Sequence, residues 1–376
     1  MLKSATLLAL ATAAAARKCQ DLVIPISISA QNAVFNIQAP TTQIDVTNLF
    51  LDITVAGQNY TEKILTGYKT VSGNYKIAAT YCQPDKGPGK ALQVLTHGVG
   101  FDRRYWDIPY ANYNYSYVAR AVDEQGYSTF TWDRLGVGAS SKGEPINEIQ
   151  QFLEIAALTE LSYSLRNGTI SGIHNKFDKF VHIGHSFGSA ITYNFINNNP
   201  DFSEAAILTG FGQNFNFATG FLLGGDYEPV KQSPLLAAKY PVGYLAPLSK
   251  IGVHTQFFAP GDFDPKMLDY IFSISQAATP GEFLTNGVGL GAKNAYKGHL
   301  FIVTGDRDLP FCGANCQDAS SINFAYPDLL ASSKPFFPSA ATFNTSIIPG
   351  AGHGLTSGYS AKATYDSMFS FLKQYC

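Results

Sequence analysis

A serine placed between two glycines is the first feature of this sequence that could carry out covalent chemistry. The segment GHSFG, residues 184–188, matches G-x-S-x-G, a pattern that holds a serine on a tight turn between a strand and a helix. Gly184 and Gly188 leave space where neighbouring backbone segments approach closely. KFVHI before the motif is strand-like, and SAITYNFI after it is helix-like. We therefore predict that Ser186 is a nucleophile rather than part of an ordinary loop.

A serine nucleophile needs a base to accept its proton, and an acid that orients the base. For serines in this motif, the acid and then the base follow later in the chain. His353 lies in the glycine-rich segment IIPGAGHGLT near the C-terminus. His254 falls in an irregular region, and His299 opens a strand at the end opposite the site. We predict that His353 is the base.

The segment FIVTGDRDLP, residues 301–310, ends a strand-like run with two carboxylates that could serve as the acid. We favour Asp308. The alternative makes Asp306 the acid and Asp308 a residue that caps a turn, since aspartates at strand ends are frequent turn formers.

The oxyanion that forms during acyl transfer requires two hydrogen-bond donors. One is expected from the residue after the nucleophile and the other from a loop after the third strand. These criteria select the backbone N–H groups of Phe187 and of Val99, which follows His97-Gly98. For His97 itself we expect a structural hydrogen bond within the loop.

The composition limits the classes of protein to consider. The chain has 376 residues, of which 45% are hydrophobic and 14% charged, with a net charge of −2. One large domain with an insertion or two modest domains would fit this length. No basic stripe with interleaved aromatic residues occurs, so we expect no nucleic-acid partner. No Cys/His cluster has the spacing of a zinc site.

The N-terminal segment MLKSATLLALATAAAARKCQ has one lysine, a short apolar run and a row of alanines. This order is typical of a secretory signal peptide, and we predict that residues 1–16 are removed. A frayed N-terminal helix is the alternative. The run is too short and too rich in alanine for a membrane span, so we expect no integral membrane anchor.

Secretion would agree with two further features of the sequence. Sequons for N-glycosylation begin at Asn59, Asn114, Asn167 and Asn344. The chain also has five cysteines, an odd number that leaves at least one unpaired within the chain. Cys312 and Cys316 are close enough to bridge a small loop, and a bridge between Cys19 and Cys376 would tether the termini. The sequence leaves the pairing open.

The order of elements indicates an α/β fold with a mostly parallel central sheet and helices on both faces. Short apolar runs predict buried strands at 91–98, 127–134, 179–186, 204–211 and 299–306, and helix-like segments lie at 115–125, 145–167 and 189–200. Residues 43–57 and 73–83 alternate apolar and polar side chains and predict an antiparallel lead-in.

The sheet pattern is interrupted between residues 212 and 297. This segment is rich in Phe, Tyr, Gly and Pro and shows no clear strand. We interpret it as an insertion between two core strands rather than a separate domain. The predicted organisation is residues 17–211 as an N-terminal extension and the first part of the core, 212–297 as the insertion, and 298–376 as the second part of the core.

Four motifs in order now allow a comparison with a known family: HGVG (97–100), DRLGVGAS (133–140), GHSFG (184–188) and GDRD with GH (305–308, 352–353). The chain resembles the α/β-hydrolase superfamily over residues 70–376, and in particular its secreted fungal, esterase-like members. The resemblance implies the α/β-hydrolase fold. It also implies that the turn from Asp133 to Ser140 braces the site, and that residues 212–297 form a lid with an apolar pocket. The family pattern G-x-x-D maps onto Gly305 and Asp308 and strengthens Asp308 over Asp306.

A serine nucleophile in this family implies ester, thioester or amide chemistry. We expect a secreted hydrolase that cleaves the carboxylic ester of a hydrophobic or aromatic small molecule and needs no cofactor. Two alternatives remain: a non-hydrolytic enzyme of the same fold that catalyses acyl transfer, lyase or isomerase chemistry, and a catalytically silent binding protein. The sequence says nothing about the oligomeric state.

Overall fold

An eight-stranded sheet lies at the centre of the computed structural model, which describes residues 17–376 apart from 215, 321, 323 and 324. The predicted signal peptide, residues 1–16, lies outside the described residues. The strands of the chain, numbered in order, are Lys18–Phe35 (β1), Leu65–Gln83 (β2), Leu92–Thr96 (β3), Ser128–Trp132 (β4), Phe180–His185 (β5), Ala205–Thr209 (β6), Tyr227–Pro229 (β7), Leu245–Pro247 (β8), His299–Gly305 (β9) and Thr342–Ile348 (β10).

The central sheet has the order β1-β2-β4-β3-β5-β6-β9-β10. The six strands β4, β3, β5, β6, β9 and β10 run parallel to one another, whereas the pairs β1–β2 and β2–β4 are antiparallel. Every residue of β3, β4, β5 and β6 is buried, as expected for parallel strands that are covered on both faces. The mostly parallel sheet and the five buried strands predicted from the sequence are thus confirmed.

Helices cover both faces of the sheet, and the sheet separates the core into two large clusters. One cluster packs Leu158 and Ile191 on one face, and the other packs Val118 and Phe369 on the opposite face. The α-helices, numbered in chain order, are Gln43–Ile53 (α1), Tyr60–Ile64 (α2), Tyr110–Tyr113 (α3), Tyr117–Ala119 (α4), Gln151–Asn167 (α5), Phe187–Asn198 (α6), Ala218–Gly224 (α7), Lys250–Phe257 (α8), Pro265–Ser273 (α9), Pro280–Thr285 (α10), Leu309–Cys312 (α11) and Ala361–Tyr375 (α12). A π-helix, Arg120–Glu124, continues α4.

The prediction of a strand at residues 43–57 was wrong, because α1 occupies most of this segment. Thr42 caps the helix in a capping box with Asp45, which satisfies backbone N–H groups at its start. The buried residues Val46, Leu49 and Phe50 have the i, i+3, i+4 spacing of one helix face. The segment therefore folds as a helix, although its first residues alternate between polar and apolar side chains. The antiparallel lead-in exists, but it is formed by β1 and β2.

Residues 212–297 connect β6 to β9, and this segment contains α7 to α10. The prediction that it lacks strands was wrong, because β7 and β8 form a small antiparallel sheet within it. These strands have only three residues each and include proline, so their sequence pattern is weak. Among the described residues, no helix has the length and apolar character needed to cross a membrane.

Two disulfide bonds are present, and they settle the pairing that the sequence left open. Cys312 bonds to Cys316, and Cys19 bonds to Cys82. Cys19 and Cys82 are direct partners in the antiparallel register of β1 and β2, which places their side chains side by side. The suggested tether between Cys19 and Cys376 was therefore wrong, and Cys376 is a free thiol at the end of α12.

Candidate active site

Ser186 lies on the turn between β5 and α6, in a backbone conformation that non-glycine residues rarely adopt (φ 54°, ψ −119°). A Cβ atom on Gly184 would collide with Gly188 and Ser189 at the start of α6. A Cβ atom on Gly188 would collide with the carbonyl oxygens of Thr96 and His97. The two glycines thus let the helix press against the strand ends, and this contact holds the serine in its strained turn.

His353 contacts Ser186 and Asp308 at the same time. Its Nε2 lies 2.8 Å from Ser186 Oγ, and its Nδ1 lies 2.6 Å from Asp308 Oδ2. Because a carboxylate can only accept, Nδ1 carries the proton and Nε2 is left to accept the serine proton. Asp308 follows β9 and His353 follows β10, so the parallel strands β5, β9 and β10 bring the three residues to the same edge of the sheet.

Asp308 is fully buried and accepts hydrogen bonds on both carboxylate oxygens. Thr304 Oγ1 donates to Oδ2 at 2.5 Å, and the Phe311 N–H donates to Oδ1 at 3.0 Å, which caps α11. The residue therefore caps a turn and contacts the imidazole at once. In the part of the chain that the structure describes, Asp306 makes no hydrogen bond to His353, so the geometry brings Asp308 and not Asp306 to the histidine.

Aromatic rings surround the imidazole of His353, which is almost completely buried. The ring centres of Phe221, Phe311 and Phe257 lie 5.5, 5.9 and 6.0 Å from that of the histidine. These rings shield the imidazole from water.

The two predicted oxyanion donors lie beside the serine. Gly98 packs directly on Ser186, because a Cβ atom built on Gly98 would lie 3.0 Å from Ser186 Cβ. The N–H of the next residue, Val99, has no acceptor among the described residues. Phe187 begins α6, and the first N–H groups of a helix have no acceptor within it. Both N–H groups are therefore free to bind an oxyanion.

Two other histidines near the serine are buried and neutral. His97 accepts from the Arg134 N–H through Nε2 (3.1 Å), and its Nδ1 donates to Gly98 O (2.9 Å). His185 stacks on Tyr105, with ring centres 4.3 Å apart. Burial holds the pKa of both histidines well below the usual value of 6.5. Among the described residues, the imidazole that bonds to Ser186 Oγ is that of His353, and neither His97 nor His185 makes such a bond.

A cavity of about 400 Å³ opens at Ser186. Three parts of the chain line it: the α1–α2 segment, the insertion, and α11. The lining is largely apolar, and it includes Ile53, Thr54, Asn59, Thr61, Phe221, Leu222, Phe283, Leu284, Val288 and Phe311. A larger groove of about 680 Å³ runs beside β1 and α5, but none of Ser186, Asp308 and His353 lines it.

The contribution of the α1–α2 segment to this cavity was missed by the sequence reasoning. Phe50 of α1 packs edge-on against Phe283 of α10 (5.2 Å between ring centres), and Thr61 donates to Leu284 O at 3.3 Å. The signal available in the sequence was the apolar face of α1, because an apolar helix face must pack against another surface. Which surface it meets depends on contacts more than 200 residues away in the sequence.

The four sequon asparagines, Asn59, Asn114, Asn167 and Asn344, are all exposed. Asn59 also caps α2, since its side-chain oxygen accepts from the Glu62 N–H at 3.2 Å. No group of three or more His, Cys, Asp or Glu side chains that could hold a metal ion occurs among the described residues.

The residues of this site lie within a segment that matches a known protein family. A family model described as the alpha/beta hydrolase family matches residues 93–361. The chain belongs to this family. The match extends from β3 to the start of α12 and confirms the resemblance that the four motifs indicated. A search of curated protein sequences finds no significant match.

Solved structures agree with the fold. A thermophilic esterase from Thermogutta terrifontis superposes with a TM-score of 0.52 at 14% identity, covering 81% of this chain and 95% of that chain. An enol-lactonase from Burkholderia xenovorans LB400 gives a TM-score of 0.53 at 13% identity, covering 80% and 97%. A bromoperoxidase from Bacillus anthracis gives 0.51 at 18% identity, covering 80% and 96%. At these identities the likeness establishes the α/β-hydrolase fold, which was predicted from the sequence.

Proposed function

We propose that this protein is a serine hydrolase that cleaves the carboxylic ester of a hydrophobic or aromatic small molecule. The observation that carries the proposal is the continuous chain of hydrogen bonds from Asp308 through His353 to Ser186, at 2.6 and 2.8 Å. The same geometry recurs in acyl-transfer enzymes of unrelated folds because it makes a serine hydroxyl nucleophilic at neutral pH.

In the first step, Ser186 Oγ forms a bond to the ester carbonyl carbon while His353 Nε2 takes the hydroxyl proton. The carbonyl oxygen becomes an oxyanion, which the N–H groups of Val99 and Phe187 bind. The bond to the alcohol oxygen then breaks. His353 returns the proton to the departing alcohol, and an acyl-enzyme remains on Ser186.

In the second step, water attacks the acyl carbon, and His353 accepts a proton from this water. The bond from the acyl carbon to Ser186 Oγ breaks, the proton returns to the serine, and the carboxylic acid leaves. The carboxylate of Asp308 keeps Nδ1 protonated throughout and stabilises the transient imidazolium. The balanced reaction consumes one ester and one water, and no cofactor takes part.

The substrate class is inferred from the cavity at Ser186. A volume of about 400 Å³ is near the lower end for small-molecule sites and suits a compact substrate. Phe221, Phe283 and Phe311 offer aromatic contacts, whereas Thr54 and Thr61 supply polar groups at the α1–α2 side. We infer an ester with an apolar or aromatic body and few polar substituents.

We also propose that the protein is secreted and glycosylated. The support is indirect: two disulfide bonds are typical of proteins from oxidising compartments, and all four sequon asparagines are exposed. Loss of mass on treatment of the secreted protein with an N-glycosidase, together with an N-terminus near residue 17, would establish both properties.

A panel of activated esters with varied acyl and alcohol groups tests the proposed reaction. We expect hydrolysis by the wild-type protein and loss of turnover in Ser186→Ala. Ser164→Ala, which removes a hydroxyl whose hydrogen bond to Glu160 is exposed on α5, should retain full activity. Incorporation of one ¹⁸O atom from labelled water into the acid is expected for hydrolysis. Products without label would indicate transfer, lyase or isomerase chemistry, and no reaction with any ester would favour a binding protein.

A further inference from the structure

Arg134, the residue after the motif aspartate Asp133, is completely buried although it carries a charge. Its Nη1 donates to both oxygens of Glu154, at 2.7 and 3.0 Å, and also contacts Glu282. Glu282 belongs to α10, which lines the cavity at Ser186. Burying these charges is costly, and such a cluster is weak evidence for stability alone. The contacts that Arg134 makes on its other side suggest another purpose.

The second guanidinium nitrogen of Arg134 reaches the loop that carries a predicted oxyanion donor. Nη2 lies 3.3 Å from Gly98 O, and the same oxygen accepts from His97 Nδ1 at 2.9 Å. His97 must donate here, because its Nε2 accepts from the backbone N–H of Arg134. Arg134 thus acts on the Gly98 carbonyl twice, once through its side chain and once by fixing the tautomer of His97.

The orientation of the Gly98 carbonyl determines where the N–H of Val99 points. The peptide bond between these residues is trans, since the described chain has no cis peptide bond. In a trans peptide, the C=O and the N–H of one unit point in opposite directions. Two donors therefore hold Gly98 O on the Arg134 side and turn the Val99 N–H to the other side, in a loop that packs on Ser186.

Arg134 also contacts the residue that supplies the other oxyanion donor. Its guanidinium carbon lies 4.7 Å from the centre of the Phe187 ring, a distance typical of a cation–π contact. Phe187 is the first residue of α6, so this contact fixes the start of that helix. One buried side chain therefore touches both segments that form the oxyanion hole.

We propose that Arg134 is a positioning residue that sets the Gly98–Val99 peptide and the start of α6 so that both N–H groups converge on the oxyanion. Glu154 and Glu282 hold the guanidinium in place and tie this arrangement to α10. The inference rests on the proposed serine hydrolase function and deepens it.

The test measures the reaction of Ser186 with a fluorophosphonate probe, which requires no knowledge of the natural substrate. Ser186 Oγ forms a bond to phosphorus, the bond from phosphorus to fluorine breaks, and fluoride leaves while His353 takes the serine proton. The phosphoryl oxygen occupies the oxyanion hole, so the labelling rate reports on the hole. Hydrolysis of an activated ester gives kcat and KM in parallel.

Arg134→Lys retains the charge but cannot span Glu154 and Gly98 with a planar fork. We expect labelling and kcat to fall about 10²-fold, the size expected for a displaced oxyanion donor, with KM within about 3-fold. Arg103→Lys is the matched control. Arg103 forms an ion pair at 2.6 Å with Asp133, the residue directly before Arg134. Among the described residues, Arg103 contacts neither Gly98 nor Phe187. It should label at a rate within about 2-fold of wild type.

If Arg134→Lys does not fold, the triple variant Arg134→Met, Glu154→Gln, Glu282→Gln removes the buried charges together, a change that proteins often tolerate. The same loss in kcat and labelling is expected in this variant, with a thermal midpoint near that of wild type. Wild-type labelling rates in a folded Arg134 variant would overturn this inference alone. Failure of the wild-type protein to label at Ser186 would instead overturn the proposed function, and with it the role of Arg134.

Discussion

The substitution Asp308→Asn is the sharpest perturbation of the proposed triad, because it removes a charge and almost no volume. Asp308 accepts three hydrogen bonds and donates none. His353 Nδ1 and Thr304 Oγ1 donate to one carboxylate oxygen, and the Phe311 N–H donates to the other. An asparagine amide can offer an oxygen to only one side.

Each orientation of the amide carries a defined penalty. If the oxygen faces His353, the NH₂ group opposes the buried Phe311 N–H, and an unsatisfied buried donor costs about 1–3 kcal/mol. If the oxygen faces Phe311, the NH₂ group faces His353 Nδ1, which must then give up its proton. The proton moves to Nε2, where it opposes Ser186 Oγ and prevents the histidine from acting as a base.

We expect kcat to fall about 10⁴-fold, the loss typical of a triad with the wrong histidine tautomer, which corresponds to about 5 kcal/mol in the activation free energy. The assay is steady-state hydrolysis of an activated ester, with ¹⁵N NMR of His353 to identify its tautomer. Asp306→Asn is the matched control and should stay within about 3-fold of wild type, since Asp306 does not bond to the imidazole. A loss below 10-fold in Asp308→Asn, or equal losses in both variants, would refute the reasoning.

Three further predictions concern stability and selectivity. His182 is buried on β5 between Ser162 and Ser203, and burial lowers its pKa from 6.5 to about 3. Below pH 6.5 the unfolded chain binds a proton at this histidine that the folded chain does not, so the free energy of unfolding decreases as the pH is lowered. His182→Gln should reduce the loss of unfolding free energy between pH 7 and 4.5 by about 2.5 kcal/mol in urea titrations. An unchanged loss would show that His182 is not the group responsible. Replacing Cys19 and Cys82 by serine should lower the free energy of unfolding by about 4 kcal/mol, and replacing Cys312 and Cys316 by about 2 kcal/mol, because the first bond closes a much longer loop. Equal urea midpoints of unfolding for the two double variants would contradict this. Val288→Phe should narrow the cavity at Ser186 and lower kcat/KM for long-chain esters about 10-fold relative to acetate esters. An equal change in kcat/KM at every chain length would show that substrates bind elsewhere.

The parts of the site that could be predicted from the sequence are those with a local physical signature. Gly184 and Gly188 flank Ser186 within the motif itself, although the backbone atoms that require Gly188 belong to Thr96 and His97 at the end of β3. The buried strands are short apolar runs, and the order of parallel strands then places Asp308 and His353 at the same edge. In each case the sequence signal lies in a few consecutive residues, even where the contact that it serves involves a distant segment.

The features that were missed depend on pairs of distant segments. The start of α1 alternates like a strand, and only the surface formed by Tyr227 and Phe283 favours the helix by covering Phe50. The Cys19–Cys82 bond depends on the register between β1 and β2. Arg134 is one charged residue in a familiar motif, and the sequence does not reveal that two glutamates 20 and 148 positions away are buried with it.

The measurement that tests the central proposal most directly is the detection of an acyl-enzyme on Ser186. The protein is mixed with an activated ester, quenched in acid within milliseconds, digested, and its peptides are weighed by mass spectrometry. We predict that the peptide containing residues 180–190 gains the mass of the acyl group, and that Ser186→Ala gains none while keeping its fold. Steady turnover with no acylated peptide, or with the acyl group on another residue, would contradict the assignment of Ser186 as the nucleophile.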